Sequence, residues 1–234
     1  MQLALSSFSR ANAHRSYSLW RTCFEGLWQI ALRHMPPHKF EGLGQVLAVD
    51  GSLFDCLGRM AWATYRTNCP KVKGHFFFDL HGLPTKLVLT TGKGSERDVL
   101  RQNLQANATY IVDRGYNDYS LFAKIREGQA HFVTRLLVNA SYTQAATNVI
   151  PTTQAQLGVV GDVAIYFNSD THKQLWRVVT FRDIITGKEW SYLTDRTDRG
   201  AMTIVHLYCY RWEVENFFAW IKSHLQVRHW WSLQ

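Results

Sequence analysis

Three acidic residues lie where their side chains could share one site. Asp50 and Asp113 each follow a short apolar run that is typical of a buried strand, and Glu215 lies on a largely apolar helix. Burying a lone carboxylate is costly unless it is paired or binds a metal. Three converging carboxylates suit Mg²⁺ or Mn²⁺, and two such ions about 4 Å apart can activate water against a phosphodiester. The alternative is that each aspartate caps a strand or begins a turn.

A narrow polar stripe runs along the helix that carries Glu215, in the segment YCYRWEVENFFAWIK, residues 208–222. At about 100° per residue, four polar side chains fall within about 60° of each other, on a stripe about three turns long. They are Tyr208, Arg211, Glu215 and Lys222. The stripe therefore presents one carboxylate and three hydrogen-bond donors on one side of a helix whose other faces suit a core.

The segments around these residues predict an α/β fold with a mixed sheet. Strand-like runs, turn signals and helical periodicity follow the order β-β-β-α-β-α-β, then a β-rich stretch, then the polar helix at about 201–225. Three consecutive strands followed by alternating helices and strands indicate a mixed sheet flanked by helices. Asp50 and Asp113, each at the end of a predicted strand, would lie at the edge where α/β sheets carry their sites.

Periodicity also divides the chain into four predicted parts. Residues 1–44 form an N-terminal helical segment, whose periodicity ends at two consecutive prolines. Residues 45–139 carry the first part of the α/β core, and residues 140–194 form a β-rich insertion. Residues 195–234 return to the core with the polar helix.

Composition predicts a basic globular protein. Of 234 residues, 46% are hydrophobic and 19% are charged, which excludes a disordered chain. The formal net charge of +8 favours a nucleic-acid partner, although a merely basic protein would show the same balance. The four cysteines lack the spacing of a structural zinc site, and no apolar run is long enough to span a membrane. These features favour a cytoplasmic protein with reduced thiols.

The polar stripe resembles the Y-(2)-R-(3)-E-(6)-K signature of the DDE transposases of bacterial insertion sequences, in the insertion-sequence-four family. The positions that match it, with no change of spacing, are Tyr208, Arg211, Glu215 and Lys222. VLAVDGS looks like the first-aspartate strand of that family, and YIVDRGY looks like its second. KGHFFFDLHGLPTKLVLTTGKGSERD, residues 73–98, looks like its central meander. The agreement extends from about residue 45 to residue 230, which is most of the chain.

The resemblance implies a ribonuclease-H-like core whose catalytic residues, Asp50, Asp113 and Glu215, are ligands of two divalent ions, Mg²⁺ or Mn²⁺. It implies a transposase that uses a metal-activated water and then a 3′-hydroxyl to attack phosphodiesters at the ends of its element. The implied partners are inverted-repeat DNA ends, target DNA and a second copy of the chain in the DNA complex. The implied location is the bacterial cytoplasm, in association with the nucleoid.

The resemblance also assigns DNA contacts to the other stripe residues. Arg211 and Lys222 would bind phosphates near the cleaved end, the arginine with two hydrogen bonds and the lysine as a point charge. Tyr208 would donate its hydroxyl to a phosphate. Arg114, directly after Asp113, would either contact DNA or make a surface ion pair.

Two tryptophans in the predicted β-rich insertion have two alternative roles. Some relatives stack a flipped base on a tryptophan from this region, and Trp176 and Trp190 are the candidates in this chain. The alternative for either residue is ordinary packing within the sheet.

The chain departs from the family at both ends. Full members usually carry a DNA-end-binding domain before the core and further helical residues after the signature lysine, whereas few residues follow Lys222 here. We therefore expect a truncated copy. One alternative is a catalytically inactive remnant that binds DNA and inhibits the full-length enzyme. Another is a ribonuclease-H-like nuclease that acts on a different nucleic acid.

Overall fold

The structure is a computed structural model, and the residues that it describes are 16–34, 42–56, 71–79, 83–224 and 229–230. The chain divides into two compact units, Met1–Lys39 and Phe40–Gln234. The first unit contains helix α1 (Tyr17–His34), which agrees with the predicted N-terminal helix. The part of that prediction before Ser16 lies outside the described residues, and the four-part division of the chain stays a prediction.

The second unit is built around one sheet, which has ten strands among the described residues. The strands are β1 (Gln45–Cys56), β2 (Lys71–Asp79), β3 (Leu83–Thr91), β4 (Ala108–Ile111), β5 (His131–Arg135), β6 (Tyr142–Thr147), β7 (Val159–Phe167), β8 (Trp176–Arg182), β9 (Glu189–Thr194) and β10 (His229–Trp230). The helical elements are α2 (Glu96–Gln102), a 3₁₀ turn (Arg114–Tyr116), α3 (Tyr119–Glu127), α4 (Thr152–Gln156), α5 (Ala201–Cys209) and α6 (Arg211–His224). None of the described helices is both long and apolar enough to cross a membrane.

The sheet is mixed, as the sequence predicts. Its strands lie in the order β3-β2-β1-β4-β5-β9-β8-β7-β6, and β10 pairs with β1. β1 is antiparallel to β2 but parallel to β4, and β4 is parallel to β5. The pairs from β5 through β9, β8 and β7 to β6 are antiparallel. The predicted α/β fold is therefore confirmed and is consistent with a ribonuclease-H-like core, and the β-rich stretch extends the same sheet.

Alternation along β1 gives the two faces of the sheet separate cores. Val46 and Ala48 pack in one core with side chains of α5 and α6, such as Val214. Leu47 and Val49 pack in the other core with side chains of α2 and α3. Helices therefore cover both faces of β1, and each residue further along the strand belongs to one face or the other.

β1 continues past the acidic residue at which the sequence predicts its end. Asp50 lies in the middle of the strand, opposite Phe76, because β2 keeps pairing with β1 on both sides of that position. The predicted strand end at Asp50 is therefore wrong. Pairing with β4, however, ends at Ala48 opposite Ile111. Asp50 thus lies just beyond the end of its parallel neighbour, where the β4 side of β1 is open.

The predicted single helix at about 201–225 is two helices, α5 and α6, which are separated at Tyr210. The Tyr210 N–H donates to the Leu207 carbonyl, only three residues earlier, at 3.2 Å. This tighter bond changes the helical pitch at the junction. Tyr208 therefore lies on α5, whereas the other three stripe residues lie on α6, and the prediction of one continuous helix is wrong. Arg211 nevertheless lies beside both Tyr208 and Glu215.

Candidate active site

The Asp50 carboxylate is partly buried on the face of β1 that packs against α6. Its Oδ1 accepts a hydrogen bond from the Gly51 N–H at 2.7 Å. The pKa of Asp50 is raised to about 6, first by burial and then by the negative charges of Asp113 and Glu96, while Arg211 opposes the rise. Asp50 therefore has two carboxylates and one guanidinium in its surroundings.

Asp113 follows β4 and caps the 3₁₀ turn. Its Oδ1 accepts a hydrogen bond from the Gly115 N–H at 2.7 Å. The interpretation of this aspartate as a turn residue is therefore confirmed. Its charge also acts on Asp50 and on the Tyr208 hydroxyl, so the same side chain belongs to the site.

Arg211 connects the start of α6 to Tyr208 and to Glu215. Its Nη1 donates to Glu215 Oε1 at 2.5 Å, and its guanidinium carbon lies 5.6 Å from the centroid of the Tyr208 ring. Tyr208 is buried, and this burial raises the pKa of its hydroxyl against the opposing charge of Arg211. The charge of Arg211 thus acts on Asp50 and that of Asp113 acts on Tyr208, while the Glu215 carboxylate is paired with Arg211 on its own helix.

Lys222 lies about two turns beyond Glu215 on α6. Its Nζ is 5.7 Å from the centroid of the Phe54 ring, which lies further along β1 than Asp50. The signature lysine is therefore on the α6 side of β1, the side that also carries the Asp50 carboxylate.

The donor chemistry of the site fits a hard divalent cation. Carboxylate oxygens are the ligands that Mg²⁺ and Mn²⁺ prefer, and Asp50 and Asp113 supply them in electrostatic contact with each other. The buried Tyr116 hydroxyl has no hydrogen-bond partner in the described part of the chain, so a polar group at the site is left unsatisfied. No three His, Cys, Asp or Glu side chains among the described residues are close enough to hold one ion together.

Two charged residues beside the site were not predicted from the sequence. Glu96 begins α2, and its negative charge acts on Asp50. Arg135 ends β5, and its pKa is lowered first by burial and then by the positive charge of Arg114. The position of Arg135 could have been predicted, because β4 and β5 are parallel and neighbouring parallel strands end at the same edge of the sheet. No sequence signal indicates Glu96, whose approach to β1 depends on the fold.

A cavity of about 300 Å³ lies beside Arg114 and Arg135. Trp190 and Tyr142 contribute aromatic side chains to its lining. The Trp190 ring is half-buried and stacks on Phe181, with the ring centroids 6.4 Å apart. Neither arginine forms an ion pair with a carboxylate among the described residues. The alternative role of Arg114, a surface ion pair, is therefore not observed in that part of the chain. The cavity therefore combines two cations with an aromatic wall.

Of the two alternative roles for Trp176, base stacking and packing within the sheet, the structure shows packing. Trp176 is 3% exposed, and its ring lies edge-on to Phe122 and Phe132 at centroid distances of 6.2 and 5.6 Å. The guanidinium carbon of Arg126 lies 3.8 Å from its ring centroid. Base stacking by Trp176 is therefore contradicted by its burial, and Trp190 is the tryptophan that lines an open cavity.

Comparison with known proteins agrees with this geometry. Residues 41–232 match the sequence profile of the transposase DDE domain. The chain is 28% identical over 195 residues to "Putative transposase y4zB" of Sinorhizobium fredii, an alignment that covers 80% of this chain and 54% of that protein. It is 29% identical over 171 residues to "Probable transposase for insertion sequence element IS5377" of Geobacillus stearothermophilus, covering 72% of this chain and 45% of that protein.

The chain spans about half the length of these two relatives. The family match includes β1 with Asp50, the turn with Asp113 and helices α5 and α6. Because it covers most of the chain, this protein belongs to the family of transposases with a DDE domain.

Proposed function

We propose that this chain is a transposase of the insertion-sequence-four type, which cleaves DNA strands at the ends of its element and transfers them to target DNA. The observation that carries the proposal is that the charges of Asp113 and Arg211 act on the partly buried Asp50 carboxylate. Asp50 lies on β1, Asp113 follows β4 and Arg211 begins α6, and the family match covers all three. Their convergence supports one shared site for charged chemistry on a phosphodiester.

Asp50, Asp113 and Glu215 are the residues that would hold two divalent ions, Mg²⁺ or Mn²⁺. When bound, such ions activate a water or a 3′-hydroxyl and offset the charge that develops on the phosphodiester. Arg211 and Lys222 bind phosphates next to the scissile bond, and Tyr208 donates its hydroxyl to a phosphate.

The ion pair on α6 couples phosphate binding to the position of Glu215. Arg211 Nη1 holds Glu215 Oε1 at 2.5 Å in the chain without DNA. A DNA phosphate competes for that guanidinium, because phosphate is also a strong bidentate partner of arginine. Release of Arg211 then leaves the Glu215 carboxylate available to the two aspartates.

The cavity beside Arg114 and Arg135 is the proposed site for an unstacked nucleotide. Trp190 offers an aromatic surface for the base, and the two arginines offer charge for its phosphate. The proposal also includes inverted-repeat ends, target DNA and a homodimer in the DNA complex, because two ends must be joined to one target. It places the protein in the bacterial cytoplasm, with the nucleoid.

Cleavage of the element's own DNA tests this function. The chain is incubated with a plasmid that carries the terminal repeats flanking its gene, in Mn²⁺, in Mg²⁺ or in EDTA. We expect metal-dependent nicks at the repeat ends, and loss of nicking in Glu215→Gln. Glu213→Gln is the matched control, because Glu213 is an exposed acid on the same helix and should keep full activity. Normal nicking by Glu215→Gln would overturn the assignment of the signature glutamate.

A second candidate function is DNA binding without cleavage. The observation that favours it is the Arg211–Glu215 ion pair, together with the lack of a three-carboxylate cluster among the described residues. Such a protein would compete with a longer transposase for DNA ends. It predicts DNA binding that weakens with salt, and no nicking in any metal, in the assay above.

A further inference from the structure

A further carboxylate, that of Glu96, approaches the site from the face of the sheet opposite α6. Glu96 is the first residue of α2, and its Oε1 accepts a hydrogen bond from Lys73 Nζ at 3.2 Å. The same Nζ donates to the Gly94 carbonyl at 3.2 Å. Because Lys73 lies on β2, this cation fixes the glutamate against the sheet. Lys73 engages only Oε1, and no described residue donates a hydrogen bond to Oε2.

The absence of a side chain at Gly51 makes this approach possible. A Cβ at position 51 would lie 2.8 Å from Glu96 Oε1, which is closer than real Cβ contacts allow, and a tight 3.2 Å from its Cδ. Gly51 directly follows Asp50, so the Glu96 carboxylate lies against the backbone of β1 at the acidic site. Its negative charge reaches Asp50 there.

A buried hydroxyl independently indicates that something binds among these acids. Tyr116 is fully buried, and its hydroxyl has no hydrogen-bond partner in the described part of the chain. Burial raises the pKa of Tyr116 well above its ordinary value, and the charges of Glu96, Asp50 and Asp113 add to that rise. The charges of all three carboxylates therefore act on this hydroxyl. Leaving such a group unsatisfied costs free energy, which favours a ligand that can hydrogen-bond to it.

We propose that Glu96 is a fourth acidic residue of this site, and that Glu96 and the Tyr116 hydroxyl hold water molecules of a divalent cation ligated by Asp50 and Asp113. The inference rests on the proposed function, since it adds residues to the same site. Mg²⁺ usually keeps several of its waters and binds through one or two carboxylates. Two direct carboxylates with water-mediated contacts to Glu96 and Tyr116 therefore agree with the lack of a three-ligand cluster among the described residues.

Titration of Mn²⁺ into the full chain, followed by calorimetry, tests the proposal without reference to activity. Loss of a residue that orients the ligands of a metal typically weakens metal affinity by about 10- to 100-fold. We expect Glu96→Gln to weaken Mn²⁺ binding at least about tenfold. Asp98→Asn is the matched control, because it removes one exposed negative charge from the same helix and should bind Mn²⁺ like the unmodified chain.

Tyr116→Phe keeps the Lys73–Glu96 pair and removes only the unpartnered hydroxyl, so it tests the proposal even if Glu96→Gln does not fold. We expect a smaller, severalfold loss of Mn²⁺ affinity. Unchanged affinity in both variants, with binding lost in Asp50→Asn, would overturn this inference and leave the proposed metal site intact. Absence of Mn²⁺ binding in the unmodified chain would overturn both.

Discussion

At the residue scale, Asp50 is where folding and chemistry conflict. Its carboxylate is partly buried beside Asp113 and Glu96, so the folded chain resists the charge that a metal site requires. A cation would relieve that repulsion, and Arg211 already relieves part of it. The cost of charging Asp50 in the metal-free chain is therefore a measurable signature of the site.

The stability of the metal-free chain should depend on the ionisation of Asp50. Its pKa is about 6 in the folded state, against about 3.9 in an unfolded chain. Because the folded pKa is the higher one, this contribution to stability is fully present below about pH 4 and is lost as the pH rises through 6. The loss amounts to at most about 3 kcal/mol. Asp50→Asn should therefore gain stability relative to the unmodified chain between pH 4.5 and pH 8.

Urea unfolding of both proteins in EDTA measures that gain. His75 titrates in the opposite sense, because burial lowers its pKa to about 4, so its contribution is lost as the pH falls below about 6.5. Both proteins share that residue, and the difference between them isolates Asp50. A difference in unfolding free energy that does not change with pH would contradict the assigned environment.

Part of this site can be predicted from the sequence, because some of its residues belong to recognisable local patterns. Asp50 and Asp113 follow apolar runs, and Arg211 belongs to a signature, so their meeting was foreseeable. Glu96 was not foreseeable, since its place depends on Lys73 from another strand and on the bare backbone at Gly51. The ion pair of Glu215 with Arg211 was foreseeable as an i,i+4 pair but was not predicted.

At the element scale, strand pairing and helix packing determine where elements end at places that the local sequence pattern does not indicate. β1 extends beyond Asp50 because β2 continues to pair with it, although glycine at position 51 disfavours a strand. No glycine or proline lies at the break between α5 and α6, so the sequence does not indicate it. The Tyr208 ring of α5 packs against Tyr192 of β9, with the ring centroids 5.0 Å apart. The Phe218 ring of α6 packs against Phe76 of β2, with the ring centroids 5.1 Å apart. The two helices thus pack against different strands of the sheet.

The close approach of α2 to β1 predicts the effect of Gly51→Ala. The new methyl group would displace the Glu96 carboxylate, which is the end of a flexible side chain, while the strand backbone stays in place. We expect Mn²⁺ affinity to fall about tenfold, as in Glu96→Gln. Calorimetry on the double variant is the control, because two changes that act through one carboxylate should not add. Fully additive losses would show that Gly51 acts by another route.

The cavity formed by the end of β5, the loop after it and β9 predicts a specific role for Trp190. A stacked base is worth about 1–3 kcal/mol, so Trp190→Ala should weaken binding to a DNA end with one unpaired base by roughly 5- to 150-fold. Trp190→Phe keeps an aromatic surface and should retain most of the affinity. Fluorescence anisotropy on matched paired and unpaired ends gives the comparison. Equal losses on both DNAs would indicate a packing role instead.

At the scale of the whole molecule, the order of elements was predictable and the continuity of the sheet was not. Periodicity identifies the meander, the alternating helices and strands, and the β-rich stretch. The β-rich stretch joins the core through β5 and β9, whose residues lie far apart in the chain, and no local signal reports that pairing. The result is one sheet in which Asp50 lies on β1, Asp113 follows the neighbouring β4, and the Trp190 cavity lies at β5 and β9.

We propose that acidic residues from separate segments form one divalent-cation site, and thermal melting with and without millimolar Mn²⁺ measures whether the folded chain binds the ion. A ligand that binds only the folded state stabilises it by about 2.7 kcal/mol at one hundred times its Kd. We expect Mn²⁺ to raise the melting temperature of the unmodified chain, and Asp50→Asn to lose most of that rise. Equal shifts in the two proteins, or no shift in either, would contradict the claim.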